Sequence, residues 1–210
     1  MTTQPQKQFK AILIDPPTDV NQKGRYGAAA HYDLMSIPEI CAMGEMLRAI
    51  TAEDCWLFVW MTNKVFFEHG KEMLRAWGFD YRGVMTWFKC KNNGLGKPWR
   101  NSTEQLVLAS RGKPEYAFKN QATHLFAPTQ DHSHKPEEQY AILDRFMGDF
   151  AKDGEKAELF ARRSAPGWLV WGNEADSDFS LAEYGYSVPS DAKFENANLT
   201  HESTSTREDS

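Results

Sequence analysis

The apolar run Ala11-Ile12-Leu13-Ile14 stops at Asp15-Pro16-Pro17, and this junction constrains the fold more than any other segment. Four apolar residues read as a buried strand. Two prolines cannot extend it, because each holds φ at about −65° and lacks a backbone N–H. Ligands in open α/β sheets collect at the carboxyl ends of strands, so a carboxylate on such a corner is a candidate reacting group. Asp15 and the Pro16 carbonyl form a rigid pair of acceptors suited to an amino group. The exocyclic amine of adenine is a poor nucleophile, its lone pair being delocalised into the ring. Accepting both its hydrogens would turn that pair toward an electrophilic methyl group. A plain strand-terminating turn uses the same residue types, so the corner needs support from the rest of the chain.

That support begins with the order of elements. The Gly/Ala-rich stretch from Thr18 to His31, with Tyr26 at its middle, reads as a mobile loop beside the corner. Ser36 with Glu39 three positions on reads as a capping box, and Ile40, Met43, Leu47 and Ile50 recur at helical spacing. Trp56 to Trp60 reads as a buried strand ending at Thr62-Asn63, followed by a helix with Met73, Leu74 and Trp77 before Gly78. Val84 to Phe88 and Leu106 to Ala109 read as further strands, whose direction the residues do not reveal. A helix entered at Pro136, with Tyr140, Leu143, Met147 and Phe150 on one face, leads to a central strand at Ala157 to Phe160. Strands alternating with helices predict a layered α/β domain on a largely parallel sheet. The apolar pattern fades after 174, and residues 195–210 have the composition of a disordered tail.

With 210 residues, 41% of them hydrophobic, the chain can bury one full core. The formal charge of −5 argues against a broad basic surface. A nucleic-acid partner would then need a local patch, such as Lys89, Lys91, Lys97 and Arg100, or a second subunit. A solvated loop is the plainer reading of that cluster. Three widely spaced cysteines, Cys41, Cys55 and Cys90, suit free thiols in a reducing compartment. With no signal peptide and no apolar stretch of spanning length, a cytoplasmic location without membrane contact is expected.

Several chemistries can be weighed from motifs. His124, His132 and His134 fall within eleven positions and leave a metal-dependent hydrolase open, although a third ligand and an HExxH-type anchor are not evident. The alternative gives His134-Lys135-Pro136 the task of binding an anionic group at a helix entrance. Glu158, near the end of a predicted strand, is of the kind that binds ribose or an amine. The GxGxxG turn of dinucleotide oxidoreductases is missing. Gly94-x-Gly96 is followed by Lys97-Pro98, which is incompatible with a phosphate-binding P-loop.

Seven segments in order carry a resemblance: Ile14-Asp15-Pro16-Pro17, Trp60-Met61-Thr62-Asn63, Ala76-Trp77-Gly78-Phe79, Trp87-Phe88-Lys89, His132-Ser133-His134-Lys135-Pro136, Glu158-Leu159-Phe160-Ala161-Arg162, and Gly167-Trp168 through Gly172-Asn173-Glu174. Over residues 10–174 the chain resembles the N6-adenine methyltransferase family that includes the catalytic subunit of the eukaryotic mRNA methyladenosine writer, in its short, single-domain prokaryotic or phage-like branch. The resemblance implies a Rossmann-like sheet with helices on both faces, permuted so that the reacting corner comes first and the S-adenosylmethionine half last. A methyltransferase domain over 1–174 and a C-terminal extension over 175–210 follow from it.

By position, the resemblance makes Asp15, Pro16, Pro17 and Tyr26 the catalytic corner and its closing loop. Lys135, Glu158, Arg162, Asn173 and Glu174, with Asp15, would line the cofactor pocket. Thr18, Tyr26, Asn101 and Glu104 would face the substrate. One departure matters: the family carries an aromatic residue after the second proline, whereas this chain has Thr18. Losing such a stack costs about 1–3 kcal/mol, so weakened base binding is expected. A catalytically silent paralogue kept as a binding or scaffold subunit would show the same substitution. DNA is the expected polymer, on the likeness to compact members without an appended RNA-recognition segment. RNA is the alternative, and a homodimer or second subunit would offset the acidic charge.

Overall fold

The computed structural model describes residues 8–18, 34–90, 97–130 and 134–194. Strand β1 (Phe9–Ile14) opens the chain, followed by α1 (Ile37–Ala42), α2 (Gly44–Ile50) and β2 (Thr51–Met61). Then come α3 (Asn63–Trp77), β3 (Asp80–Lys89), β4 (Thr103–Arg111) and β5 (His124–Ala127). Helix α4 (Glu138–Met147), β6 (Lys156–Leu159) and β7 (Leu169–Trp171) complete the main elements. The strands form one seven-stranded sheet in the order β5-β3-β4-β2-β1-β6-β7.

The sequence expectation of a largely parallel sheet holds with one reversal. β1 is parallel to β2 and β6, β6 to β7, and β3 to β5, while β4 runs antiparallel to both β2 and β3. β4 follows β3 without an intervening helix, and adjacent strands joined that way pair antiparallel. The reversal has a consequence for the site, because it brings the start of β4 to the end of the sheet where the other strands finish.

Alternation along β2 shows how one apolar run fills two layers. Leu57, Val59 and Met61 join Ile12, Ile14, Val107 and helices α1 to α3 on one face. Trp56, Phe58 and Trp60 join Leu13, Trp87, Leu143 and Met147 on the other, beneath α4. Burial on both faces is why β2 reads as continuous apolar sequence.

Ser36 and Glu39 form the reciprocal capping box expected, with Glu39 Oε2 accepting from Ser36 N at 2.7 Å. The single helix expected over Ile40 to Ile50 is instead two, broken at Met43. The cause is contact between helices. A Cβ on Gly44 would lie 2.3 Å from the Ala76 carbonyl oxygen of α3, and Arg48 Nη1 donates to that same oxygen at 3.0 Å. Trp77 Nε1 donates to Ile40 O at 2.8 Å and ties α3 to α1. Helix α3 begins at Thr62, whose hydroxyl accepts from Val65 N, and ends at Gly78 with φ of 78°. Residues 175–194 also pack on the sheet, with Leu181 and Val188 in the α1–α3 layer and Phe179 against Phe9. Among the described residues no helix is long and apolar enough to cross a membrane.

Candidate active site

The chain leaves β1 toward β2 on one side and returns to β6 on the other, so the crevice outside the carboxyl ends of β1 and β6 is a topological switch point. Asp15 stands there as the first residue after β1. The corner is locked by its own backbone: Thr18 N donates to Pro16 O at 2.8 Å and Met35 N to Pro17 O at 2.8 Å. A carbonyl has two lone pairs, so the Pro16 oxygen keeps one beyond the Thr18 contact. Thr18 is half-buried and bridges Met35 in parallel.

Four alternating charges cross the crevice. Lys89 Nζ lies 2.6 Å from Glu104 Oε1, Glu104 Oε2 lies 3.1 Å from Lys135 Nζ, and Lys135 Nζ lies 3.0 Å from Asp15 Oδ2. Each residue comes from a different element. Lys89 ends β3, Glu104 is the second residue of reversed β4, Lys135 precedes α4, and Asp15 follows β1. Two indoles floor the row: Lys135 Nζ is 5.7 Å from the Trp60 ring and Lys89 Nζ 5.0 Å from the Trp87 ring. Trp60 is held by Nε1 donating to Gln139 Oε1 at 2.7 Å, and Trp87 by Nε1 donating to Ala127 O at 2.9 Å.

Burial raises the Asp15 carboxyl above its ordinary range against the pull of Lys135, with the Glu104 charge adding to the rise. Burial acts the same way on Glu104, but Lys135 and Lys89 prevail and hold it below the usual value. Burial would depress the Lys135 ammonium, yet Asp15 and Glu104 outweigh it and keep the pKa above the ordinary lysine range.

A second group adjoins the first. Tyr140 OH donates to Glu158 Oε2 at 2.8 Å. Burial pushes Glu158 up to about 7; the Tyr140 hydrogen bond opposes that rise and the Asp15 charge adds to it. Arg163 pairs with Glu137, which also lies 3.2 Å from His134 Nε2. The Arg162 charge lowers the Asp15 pKa. Asn173 and Glu174 are exposed just past β7, and Asn101 is exposed ahead of β4. Beyond Leu159 the chain turns sharply: Phe160 has φ of 62°, the one positive value at a non-glycine residue among the described residues. A Cβ on Gly172 would sit 2.0 Å from Ala161 O, so only glycine lets the β6 and β7 ends approach this closely.

The structure thus brings together Asp15, Glu104, Lys135 and Glu158, with Arg162 acting on Asp15. Tyr26 and His132 lie outside the described residues. His134, the remaining histidine of that cluster near the crevice, is engaged with Glu137 and stands 3.5 Å from Arg163 Nη1. The sequence suggests an exposed basic cluster that includes Lys89; it is instead a half-buried member of the charge row, its side chain 17% exposed. Tyr140, Trp60 and Arg163 were read as packing or not singled out. Tyr140 carried a signal, since a hydroxyl on an otherwise apolar helix face needs a buried partner.

The family follows from comparison with known proteins. The MT-A70 family matches residues 9–174. The N(6)-adenine-specific methyltransferase METTL4 of Mus musculus is 30% identical over 192 residues, covering 80% of this chain and 38% of the relative. The N(6)-adenosine-methyltransferase catalytic subunit METTL3 of Homo sapiens is 27% identical over 183 residues, 80% of this chain and 28% of its own length. The type II methyltransferase M.MunI of Mycoplasma sp is 30% identical over 195 residues, 81% of this chain and 79% of its own. The chain therefore spans about two fifths or less of METTL4 and METTL3 but most of the type II enzyme. A family match running from β1 to just past β7, across the Asp-Pro-Pro corner at the switch point and the half-buried lysine facing it, places this chain in the MT-A70 family.

Proposed function

We propose that the chain transfers a methyl group from S-adenosylmethionine to the N6 amine of adenine in nucleic acid, and that the polymer is DNA. The observation that carries the reading is the Asp15–Lys135 pair at the β1/β6 switch point, 3.0 Å apart, in a chain of this family. The residues suit the cofactor. Its methionine end bears a carboxylate and an ammonium, and the crevice offers a buried cation in Lys135 and acceptors in Asp15 and Glu158. Arg162, Asn173 and Glu174 supply polar groups for its ribose. When bound, the cofactor supplies an electrophilic methyl group.

The target base must leave its stack to reach this crevice. Asp15 accepts one hydrogen of the N6 amine and the Pro16 carbonyl the other, which directs the nitrogen lone pair along the transfer line. The N–C bond would form as the sulfonium–methyl bond breaks and its electron pair stays on sulfur, and Asp15 takes up the proton that the nitrogen releases. A carboxylate raised by burial is a better base for this than an exposed one. Lys135 keeps Asp15 ionised beforehand, and Glu104, shared with Lys89, keeps Lys135 charged. Pro17 fixes the corner. Thr18 and the exposed Asn101 are assigned to the substrate side, as is Tyr26 on the resemblance alone.

DNA is favoured because the match extends over 79% of the type II methyltransferase M.MunI but over only 28% of the N(6)-adenosine-methyltransferase subunit METTL3, so of these two the likeness is greater to the compact member. With a net charge of −5, binding is weak and salt-sensitive unless a second protomer or subunit contributes. Thr18 in place of an aromatic residue favours one second reading, a silent subunit that binds cofactor without turnover. The test is nucleoside mass spectrometry after incubation of DNA and RNA with the protein and isotope-labelled cofactor. Labelled N6-methyladenine is expected from DNA, and Asp15→Ala is expected to lower its formation at least a hundredfold. Full activity in Asp15→Ala overturns the mechanism. Cofactor binding without labelled product establishes the silent subunit.

A further inference from the structure

We propose that the exposed aromatic face of β3 and β5 is a stacking platform for unpaired bases flanking the target adenine on a single strand of nucleic acid. This role rests on the methyltransferase reading and extends it from the reacting corner to the path of the strand.

Phe88 and Phe126 are paired in register on adjacent parallel strands. Their rings stack with centroids 4.8 Å apart and planes 21° from parallel. Both are open to solvent, Phe88 at 39% and Phe126 at 63%. His124, two residues earlier on β5, extends the surface, its ring 5.4 Å from that of Phe126. Their strand neighbours Trp87 and Leu125 point to the opposite face and are buried, so the exposed rings are not a side of the core. Flat rings side by side on an open sheet offer π faces to any base, which makes such binding tolerant of sequence.

The platform lies at the reacting end of the sheet. Phe88 immediately precedes Lys89 of the buried charge row, and Cys90 N donates to Ala127 O at 3.3 Å, joining the ends of β3 and β5. The row and the rings sit on opposite faces, so a strand whose adenine enters the crevice crosses the end of β3 to reach them.

Charge selects the occupant. The chain as a whole is at −5, yet residues 88–101 contain no Asp or Glu. Within that stretch the exposed Lys97 and Arg100 flank Trp99, itself 84% exposed. Cations interleaved with exposed aromatic rings suit a phosphate backbone with unstacked bases. A two-fold contact between copies would instead set the same cations against one another.

The experiment measures fluorescence anisotropy of the full chain with a labelled 12-nucleotide single strand holding one adenine among pyrimidines, in DNA and RNA versions. Phe126→Ala and Phe88→Ala are each expected to weaken binding roughly tenfold, and Phe126→Trp to restore it. Phe67→Ala, which removes a ring 89% exposed on α3, is expected to bind as wild type. 2-Aminopurine beside the adenine should be quenched on binding by wild type and not by Phe126→Ala. Urea midpoints confirm that each variant is folded. Unchanged affinity in both alanine variants, with methylation intact, overturns the platform and leaves the methyltransferase reading standing. Loss of a dimer in sedimentation velocity, without loss of oligonucleotide affinity, overturns it in favour of self-association. Wild-type protein that yields no methyladenine on either polymer ends the methyltransferase reading, and the platform with it.

Discussion

Replacing Lys135 with methionine tests the charge row directly. The side chains of Asp15, Glu104 and Lys135 are 27%, 16% and 14% exposed. The substitution therefore leaves two poorly solvated carboxylates facing each other, with Lys89 beside Glu104 and the Arg162 charge acting on Asp15 to offset them. Removing one partner of a buried pair costs about 3–5 kcal/mol, and the partial exposure of Asp15 places the expected loss near the lower end, about 3 kcal/mol at pH 8. The pH dependence carries the diagnostic sign. Without Lys135 the folded-state pKa of Asp15, already above its unfolded value, rises further, and that of Glu104 rises from below its own. Protonation then favours the folded state, so the deficit relative to wild type shrinks as pH falls from 8 to 5. Urea unfolding followed by tryptophan fluorescence at the two pH values measures this, with seven tryptophans as reporters. Adding Glu104→Gln to Lys135→Met should recover part of the loss by removing one of the opposed charges. A deficit below about 1 kcal/mol, or one equal at both pH values, would refute the claim that buried charge pairing holds the crevice together.

Glu158 provides a second titration. Its folded-state value of about 7 stands above the unfolded carboxyl, so its stabilising contribution is complete below about pH 4.5 and is lost as pH rises through 7. Glu158→Gln should flatten the stability profile over that window and gain up to about 3 kcal/mol at pH 8, while weakening cofactor binding measured by calorimetry. Gly172→Ala places a Cβ 2.0 Å from Ala161 O and disrupts the Ala161 N to Trp171 O hydrogen bond of 2.9 Å. A loss of about 3 kcal/mol or more in urea unfolding is expected.

The residue pattern of this chain determined its local elements. Periodicity placed β1, β2 and α3, and the Ser36–Glu39 box and Gly78 marked helix ends, because caps and apolar spacing act within a few residues. The resemblance also groups Asp15, Lys135, Glu158, Arg162, Asn173 and Glu174 in one pocket, of which the structure links Asp15, Lys135, Glu158 and the Arg162 charge and leaves Asn173 and Glu174 exposed past β7. What the residue pattern could not report is who meets whom across the fold. Apolar spacing says that a residue is covered, not by which strand or in which direction, so the reversal of β4 was invisible. That reversal carries Glu104 to the crevice at the carboxyl end of β1, where it pairs with both Lys89 and Lys135. The helix break at Met43 came from Gly44 pressing on Ala76, a contact between residues distant in the chain. Asp15 and Lys135 are 120 positions apart in number, yet their ion pair sets the electrostatics of both. Burial and charge are properties of the assembled crevice, and only tertiary packing decides them.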